Sequence, residues 1–282
     1  AGDPQGLLVT CTAYGTGGGW GELLGDNGSL IAIDQDEKAI KRIEDELRKT
    51  CKGELYLIQD NFRNIDTITK SLEIDRINAC LLDLGLSSDQ LENSGKGFSF
   101  QKDEPLEMCF PKKGGLYQTT AREIVNEWSI ESIAGILTGF SEERFAKRIA
   151  KGIKEARQEK KIERTGDLVE IIRKNVPTWY RRGKIHYATK TFQALRIAVN
   201  DELSALSEVL VKVFQLLDKD GHIAVISFHS AEDRIVKRFF KSKANEKTAK
   251  LITKKPIIAT EKELLENPRA RSAKLRILEK II

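Results

Sequence analysis

Four short apolar runs do most to limit what this chain can fold into: Leu7–Cys11, Leu30–Ile33, Leu55–Ile58 and Ile77–Leu84. Each has the length of a strand, and the fourth is almost continuously apolar, as expected of a strand buried on both faces. Between the second and third, Asp36 to Leu47 sets Ala39, Ile40, Ile43 and Leu47 three or four residues apart, which places them on one helical face. Strand and helix periods in alternation predict an α/β fold with a parallel sheet built by βαβ crossovers.

After residue 94 the pattern changes. Residues 94–117 mix glycine, proline and charge irregularly, and only helical periods follow. Thr120-Ala121-Arg122-Glu123 has the form of a capping box. Ser141–Arg157 carries Phe145, Ile149 and Ile153 on one face, Asp167–Asn175 reads as a further helix, and Thr191–Leu217 reads as one long helix. Ile223–Phe228 is a strong buried-strand run after an Asp220-Gly221 turn, and Ala231–Lys243 is its crossover helix. Residues 251–253 and 275–278 supply the final strands. The expected organisation is a discontinuous sheet domain, 1–103 with 189–282, into which an all-helical domain, 104–188, is inserted.

Charge follows the same division. The net charge over 282 residues is +5, yet residues 141–200 hold 16 Lys/Arg against 7 Asp/Glu, a local +9 that leaves −4 for the remainder. A basic block in a mildly acidic chain suits a phosphate-bearing partner, although solvated helix faces give the same count. No apolar run is long enough to span a bilayer, and the opening residues lack the features of a signal peptide, so a cytoplasmic location is expected. Cys11, Cys51, Cys80 and Cys109 are too dispersed for a structural zinc site or a disulfide framework.

In an open α/β sheet, ligands bind beyond the carboxyl ends of the strands. Gly15-x-Gly17-x-Gly19 follows the first run, where backbone can approach a ligand closely, and Asp34 ends the second, where a carboxylate can accept both hydroxyls of a ribose. The glycines alone could form a tight turn; together with Asp34 they indicate an adenosine-containing ligand. Trp20 stands where a dinucleotide site wants a third glycine, and no Walker lysine follows, so S-adenosylmethionine fits better than a dinucleotide or a triphosphate. Asp83 ends the fourth run. It either caps the next turn or, in a methyltransferase, orients an exocyclic amine whose lone pair is delocalised into its ring. His229, between serines at the end of the fifth run, reads as a hydrogen-bonded structural group rather than a base.

These residues resemble the ribosomal RNA small subunit methyltransferase H family, also called MraW-like. The resemblance lies in Leu82–Leu91 (LDLGLSSDQL), Lys96–Phe100 (KGFSF), Glu142–Ala150 (EERFAKRIA), Ala188–Asn200 (ATKTFQALRIAVN), Ile226–Ser230 continuing through Glu232–Lys237, and Asn267–Ser272 (NPRARS). It implies a class I, Rossmann-like methyltransferase sheet with an inserted all-helical substrate domain. It also implies N4-methylation of one cytidine in small-subunit ribosomal RNA, with S-adenosylmethionine as donor. Family cofactor contacts map onto Gly17, Gly18, Gly19, Asp34, Phe62, Asp83 and Gln90, with Asp83 also catalytic, while Arg181, Arg182, Lys184 and Lys190 become the RNA-facing set. The implied partner is small-subunit ribosomal RNA or a 30S-type particle, no membrane is involved, and a homodimer is left open.

The chain also departs from the family pattern. It lacks the family's opening His-x-Pro-Val segment and is expected to be a trimmed chain. Thr10-Cys11-Thr12 replaces a strand-ending aspartate, Gly19 replaces a histidine, and Glu107-Met108-Cys109-Phe110-Pro111 replaces Asp-Met-Arg-Met-Asp. A second reading of a different class follows: a diverged RNA-binding or ribosome-assembly protein without turnover. A small-molecule methyltransferase is a third, and it leaves the basic block without a purpose.

Overall fold

The computed structural model describes residues 7–11, 28–110 and 119–282. They fall into two compact units, Ala1–Ser87 with Leu203–Ile282, and Ser88–Glu202.

The first unit is built on the sheet. Strands β1 (Leu7–Cys11), β2 (Ser29–Asp34), β3 (Glu54–Gln59), β4 (Ile77–Asp83) and β5 (Leu217–Ser227) run parallel in the order β3-β2-β1-β4-β5. Strand β8 (Lys274–Lys280) pairs antiparallel with β5, and β6 (Ala249–Leu251) and β7 (Ile257–Ile258) both pair with β8. This strand order, with one antiparallel strand beyond β5, is that of the class I methyltransferase sheet which the family resemblance implies.

Strand β2 shows why such runs are continuously apolar. Leu30 and Ala32 pack with Ile40, Ile43 and Leu47 of α1 (Glu37–Thr50). Ile31 and Ile33 point to the opposite face and join the larger core, to which α10 (Glu202–Leu216) contributes Leu206, Val209, Leu210 and Val213 and α11 (Ser230–Asn245) contributes Val236 and Phe240. Both faces are covered, so neither parity of the strand can be polar. Helix α1 begins at Asp36, whose side chain accepts from the Lys38 amide, and ends with Arg48 and Lys49, each charge matched to its end of the helix dipole. Helix α2 (Ile65–Ser71) adds Ile65 and Ile68 to the larger core.

The second unit is helical: α3 (Ser88–Asn93), α4 (Ala121–Glu127), α5 (Ile130–Ser141), α6 (Ala146–Glu159), α7 (Thr165–Asn175), α8 (Thr178–Arg181) and α9 (Thr189–Asn200). The capping box at Thr120 is present, with both the Thr120 side chain and the Glu123 carboxylate engaged. The unit reaches further in both directions than the expected 104–188, and its bonding explains why. The Lys96 carbonyl accepts from the Met108 amide, Asn200 donates to the Met108 carbonyl, and the buried Thr165 hydroxyl accepts from the Glu104 amide and donates to the Lys102 carbonyl. Gly97, at φ +73°, lies so close to the Pro105 carbonyl that a Cβ there would meet it at 2.4 Å. Residues 94–110 are irregular because their polar groups are satisfied by tertiary partners instead of a ladder.

Two expected helices are corrected. Thr191–Leu217 is not one helix: Asp201 takes a left-handed φ of +51°, ending α9 before α10 begins. Ser141–Arg157 is likewise broken at Glu142, with φ +53°, so that α5 and α6 meet in a bend. A short polar residue or a solvated glutamate in that conformation disturbs no apolar period, so periodicity does not reveal either break.

Candidate functional site

The strand ends of the first unit position the predicted chemistry. Cys11, the last residue of β1, pairs with Ile33 on one side and Leu82 on the other. Asp34 and Asp83 therefore stand at the same level, one on each neighbour of β1, with backbones about 10 Å apart across two strand spacings. This is where the strand order reverses, the position at which open α/β sheets bind ligands.

Asp34 is half-buried, and one of its oxygens accepts from the Asp36 amide at 2.8 Å. Burial pushes its carboxyl up to about 7, against the pull of that amide. The loops beyond β2 and β3 are laced together: Asn61 donates to the Gln35 side chain, and Asp60 accepts from the Asn61 amide and from Asn64. Phe62 opens a short 3-10 turn at the end of β3, capped by Asn61, and packs against the larger core.

Asp83 differs from Asp34. Its Oδ1 is shut from solvent and has no hydrogen-bond partner among the described residues. Burial, and then the negative charge of Glu232, push its carboxyl up to about 7. Gly85, at φ +97°, turns the chain immediately afterwards.

Glu232 itself is buried at the start of α11, where its Oε2 accepts from the Phe228 and His229 amides at 2.9 and 3.2 Å. His229 completes that cap, its Nδ1 accepting from the Glu232 amide at 3.4 Å, while its buried Nε2 lies 3.1 Å from Glu232 Oε1 without hydrogen-bond alignment. His229 thus takes part in the cap of α11 as a hydrogen-bonded group. Glu232 was not foreseen; the His-x-x-Glu spacing of a capping box at the end of β5 is the signal that would have revealed it.

The chain matches the model of the MraW methylase family over residues 2–281. The chain belongs to that family. A ribosomal RNA small subunit methyltransferase H of Acetivibrio thermocellus is 44% identical to it over 297 residues, covering 99% of this chain and 94% of that protein. The protein of the same name from Persephonella marina is 45% identical over 252 residues, covering 89% and 84%, and that of Brevibacillus brevis 41% over 295 residues, covering 99% and 93%. Membership in a methylase family gives the two raised carboxyls at the switch point a chemical setting.

Among the other predicted site residues, Gly17, Gly18 and Gly19 lie outside the described residues. Gln90 lies on α3 of the second unit and is buried. Also in that unit, Arg181 ends α8 and donates to Thr178 Oγ1 at 2.7 Å, Arg182 and Lys184 are exposed in the following turn, and Lys190 on α9 donates to the Glu142 carbonyl at 2.9 Å. In the divergent segment, Met108, which matches the family pattern, is fully buried, and Phe110, which departs from it, stacks on Phe98 with ring centres 5.0 Å apart, so this replacement is a packing residue of the second unit. Cys51, Cys80 and Cys109 are free thiols. No helix among the described residues is long and apolar enough to cross a membrane.

Proposed function

We propose that this chain methylates N4 of a cytidine in small-subunit ribosomal RNA, using S-adenosylmethionine, in the cytoplasm. The observation that carries the reading is Asp83: a carboxyl at the switch point of a methylase-family sheet, with one oxygen buried and without a partner among the described residues. An orphaned acceptor is costly to keep unless a ligand donor meets it. The near full-length likeness to small-subunit ribosomal RNA methyltransferases supports the choice of substrate.

The donor set fits the cofactor. Asp34 would accept the ribose hydroxyls, Phe62 would flank the adenine, and residues 17–19 would supply backbone contacts. When bound, S-adenosylmethionine supplies an electrophilic methyl group on a sulfonium. Asp83 accepts an N–H of the cytidine amine, which draws the nitrogen lone pair out of ring conjugation and toward attack. Once methylated, that nitrogen must shed a proton, and an ionised carboxyl whose value lies near 7 is suited to receive it. Burial, and then the charge of Glu232, hold Asp83 near that value, while an oxygen of Glu232 holds the start of α11. Arg181, Arg182, Lys184 and Lys190 are the proposed RNA-facing cations, giving position without sequence readout.

Nucleoside mass spectrometry of small-subunit RNA, incubated with the protein and S-adenosylmethionine, tests the proposal. N4-methylcytidine is the expected product. RNA binding without it would favour the assembly-protein reading instead.

A further inference from the structure

The bend between α5 and α6 in the second unit carries an aromatic and basic cluster that the reaction above does not use. Trp179 on α8 is 58% exposed, an unusual setting for so large an apolar side chain. Its ring meets Phe145 and Tyr180 edge-on, with centres 5.8 and 5.9 Å away, and the Arg144 guanidinium lies over it at 5.2 Å. The support beneath is firm. The Tyr180 hydroxyl reaches both oxygens of buried Glu143, at 2.9 and 3.1 Å, and the same carboxylate accepts from the Phe145 amide. Lys190 clamps the Glu142 carbonyl at the left-handed turn.

The charges around this ring are unspent. Arg144, Lys147 and Arg148 make no ion pair among the described residues, whereas Arg164, Arg173 and Lys151 of the same unit pair with Asp103, Glu170 and Glu155. Arg148 lies 5.7 Å from the Phe145 ring centre. Beside the cluster opens a cavity of about 470 Å³, lined by Thr138 and residues 142–148, within the size range of small-ligand pockets.

We propose that the Trp179–Arg144 pair is a stacking platform for an unpaired RNA base, with Lys147 and Arg148 taking the phosphates beside it. Every base presents a π-face, and aromatic rings interleaved with cations are how single strands are held without sequence preference. An RNA occupant is favoured over a protein one because the cluster lies in a strongly basic stretch, +9 over residues 141–200, where its own cations repel one another until phosphates arrive. This assignment rests on the RNA reading above and adds to it a binding subsite.

The test uses the full chain, a fluorescein-labelled unstructured RNA of roughly 12 nucleotides, and fluorescence anisotropy across a salt series. W179A should weaken binding about 5- to 100-fold and W179F should restore it to within about threefold. K147A/R148A should reduce the slope of log affinity against log salt by about 1.4. R144Q, at an exposed position, should weaken binding by at least about threefold and serves if W179A fails to fold. Wild-type affinity in W179A and R144Q overturns the platform. If the variants bind the oligonucleotide normally but lose affinity for intact small-subunit particles, the face docks protein and the proposal is wrong. Wild-type protein that neither binds this RNA nor methylates small-subunit RNA would bring down the RNA reading itself; methylation with an unchanged particle KM in W179A brings down the platform alone.

Discussion

At the scale of single residues, Asp34 and Asp83 are held against their own preference. Each carboxyl sits near 7 in the folded chain against 3.8 for an ordinary aspartate. The folded state therefore holds more protons than the unfolded one between those values, so their contribution to stability is fullest near pH 4 and is lost as pH rises through 7. D83N should accordingly stabilise the protein at pH 8 by on the order of 2 kcal/mol, read as a melting temperature several degrees higher, while cutting kcat about 10²- to 10⁴-fold. A variant that melts lower, or that keeps its rate, contradicts the role given to Asp83. For Asp34 the accepting form is the ionised one. S-adenosylmethionine affinity should fall as pH drops from 8 to 6, by up to about tenfold for each unit below 7, and D34N should remove that dependence in titration calorimetry. Both aspartates were legible in the sequence because an acid at the end of an apolar run has few places to be; the buried oxygen of Asp83 was not, because burial is a property of the assembled neighbours.

Among elements, α11 shows how a cap can serve chemistry. Glu232 holds two backbone amides and also faces Asp83 with its charge. E232Q retains an acceptor for the amides but removes the charge, so the rising limb of the pH–rate profile should move to lower pH; a limb that stays in place would mean the charge does not reach Asp83. The segment 94–110 makes the complementary case. Its irregular sequence predicted no element, yet Thr165 anchors it through two hydrogen bonds from a fully buried hydroxyl. T165V should cost about 2 kcal/mol in denaturant unfolding, since it leaves the Glu104 amide and the Lys102 carbonyl without this partner. Strands and most helices could be read from period alone. The breaks at Glu142 and Asp201 could not, because each begins at a left-handed residue and leaves the three-and-four spacing of the apolar residues on either side unmarked. The Trp179 cluster escaped for a related reason: Arg144-Phe145 and Trp179-Tyr180 are far apart in sequence, and only folding puts Arg144 over Trp179.

For the whole molecule, the uneven charge predicts behaviour that no single contact gives. RNA affinity should fall steeply with salt while S-adenosylmethionine affinity, which depends on half-buried groups, changes little between about 50 and 300 mM; equal sensitivity of both would disprove the division of labour. The strand order carries a different consequence. Strand β8 follows β5, β6 and β7 in sequence but lies inside the sheet, between β5 and β6, while residues 88–202 form a unit continuous in sequence. During synthesis the helical unit can gather its core as it emerges, but the sheet stays open along β5 until β8 is delivered. The enzyme is thus assembled out of the order in which it is read. Its nascent form is a finished helical unit tethered to a half-built sheet with an exposed apolar edge, the species on which a chaperone would act and which aggregation would claim first.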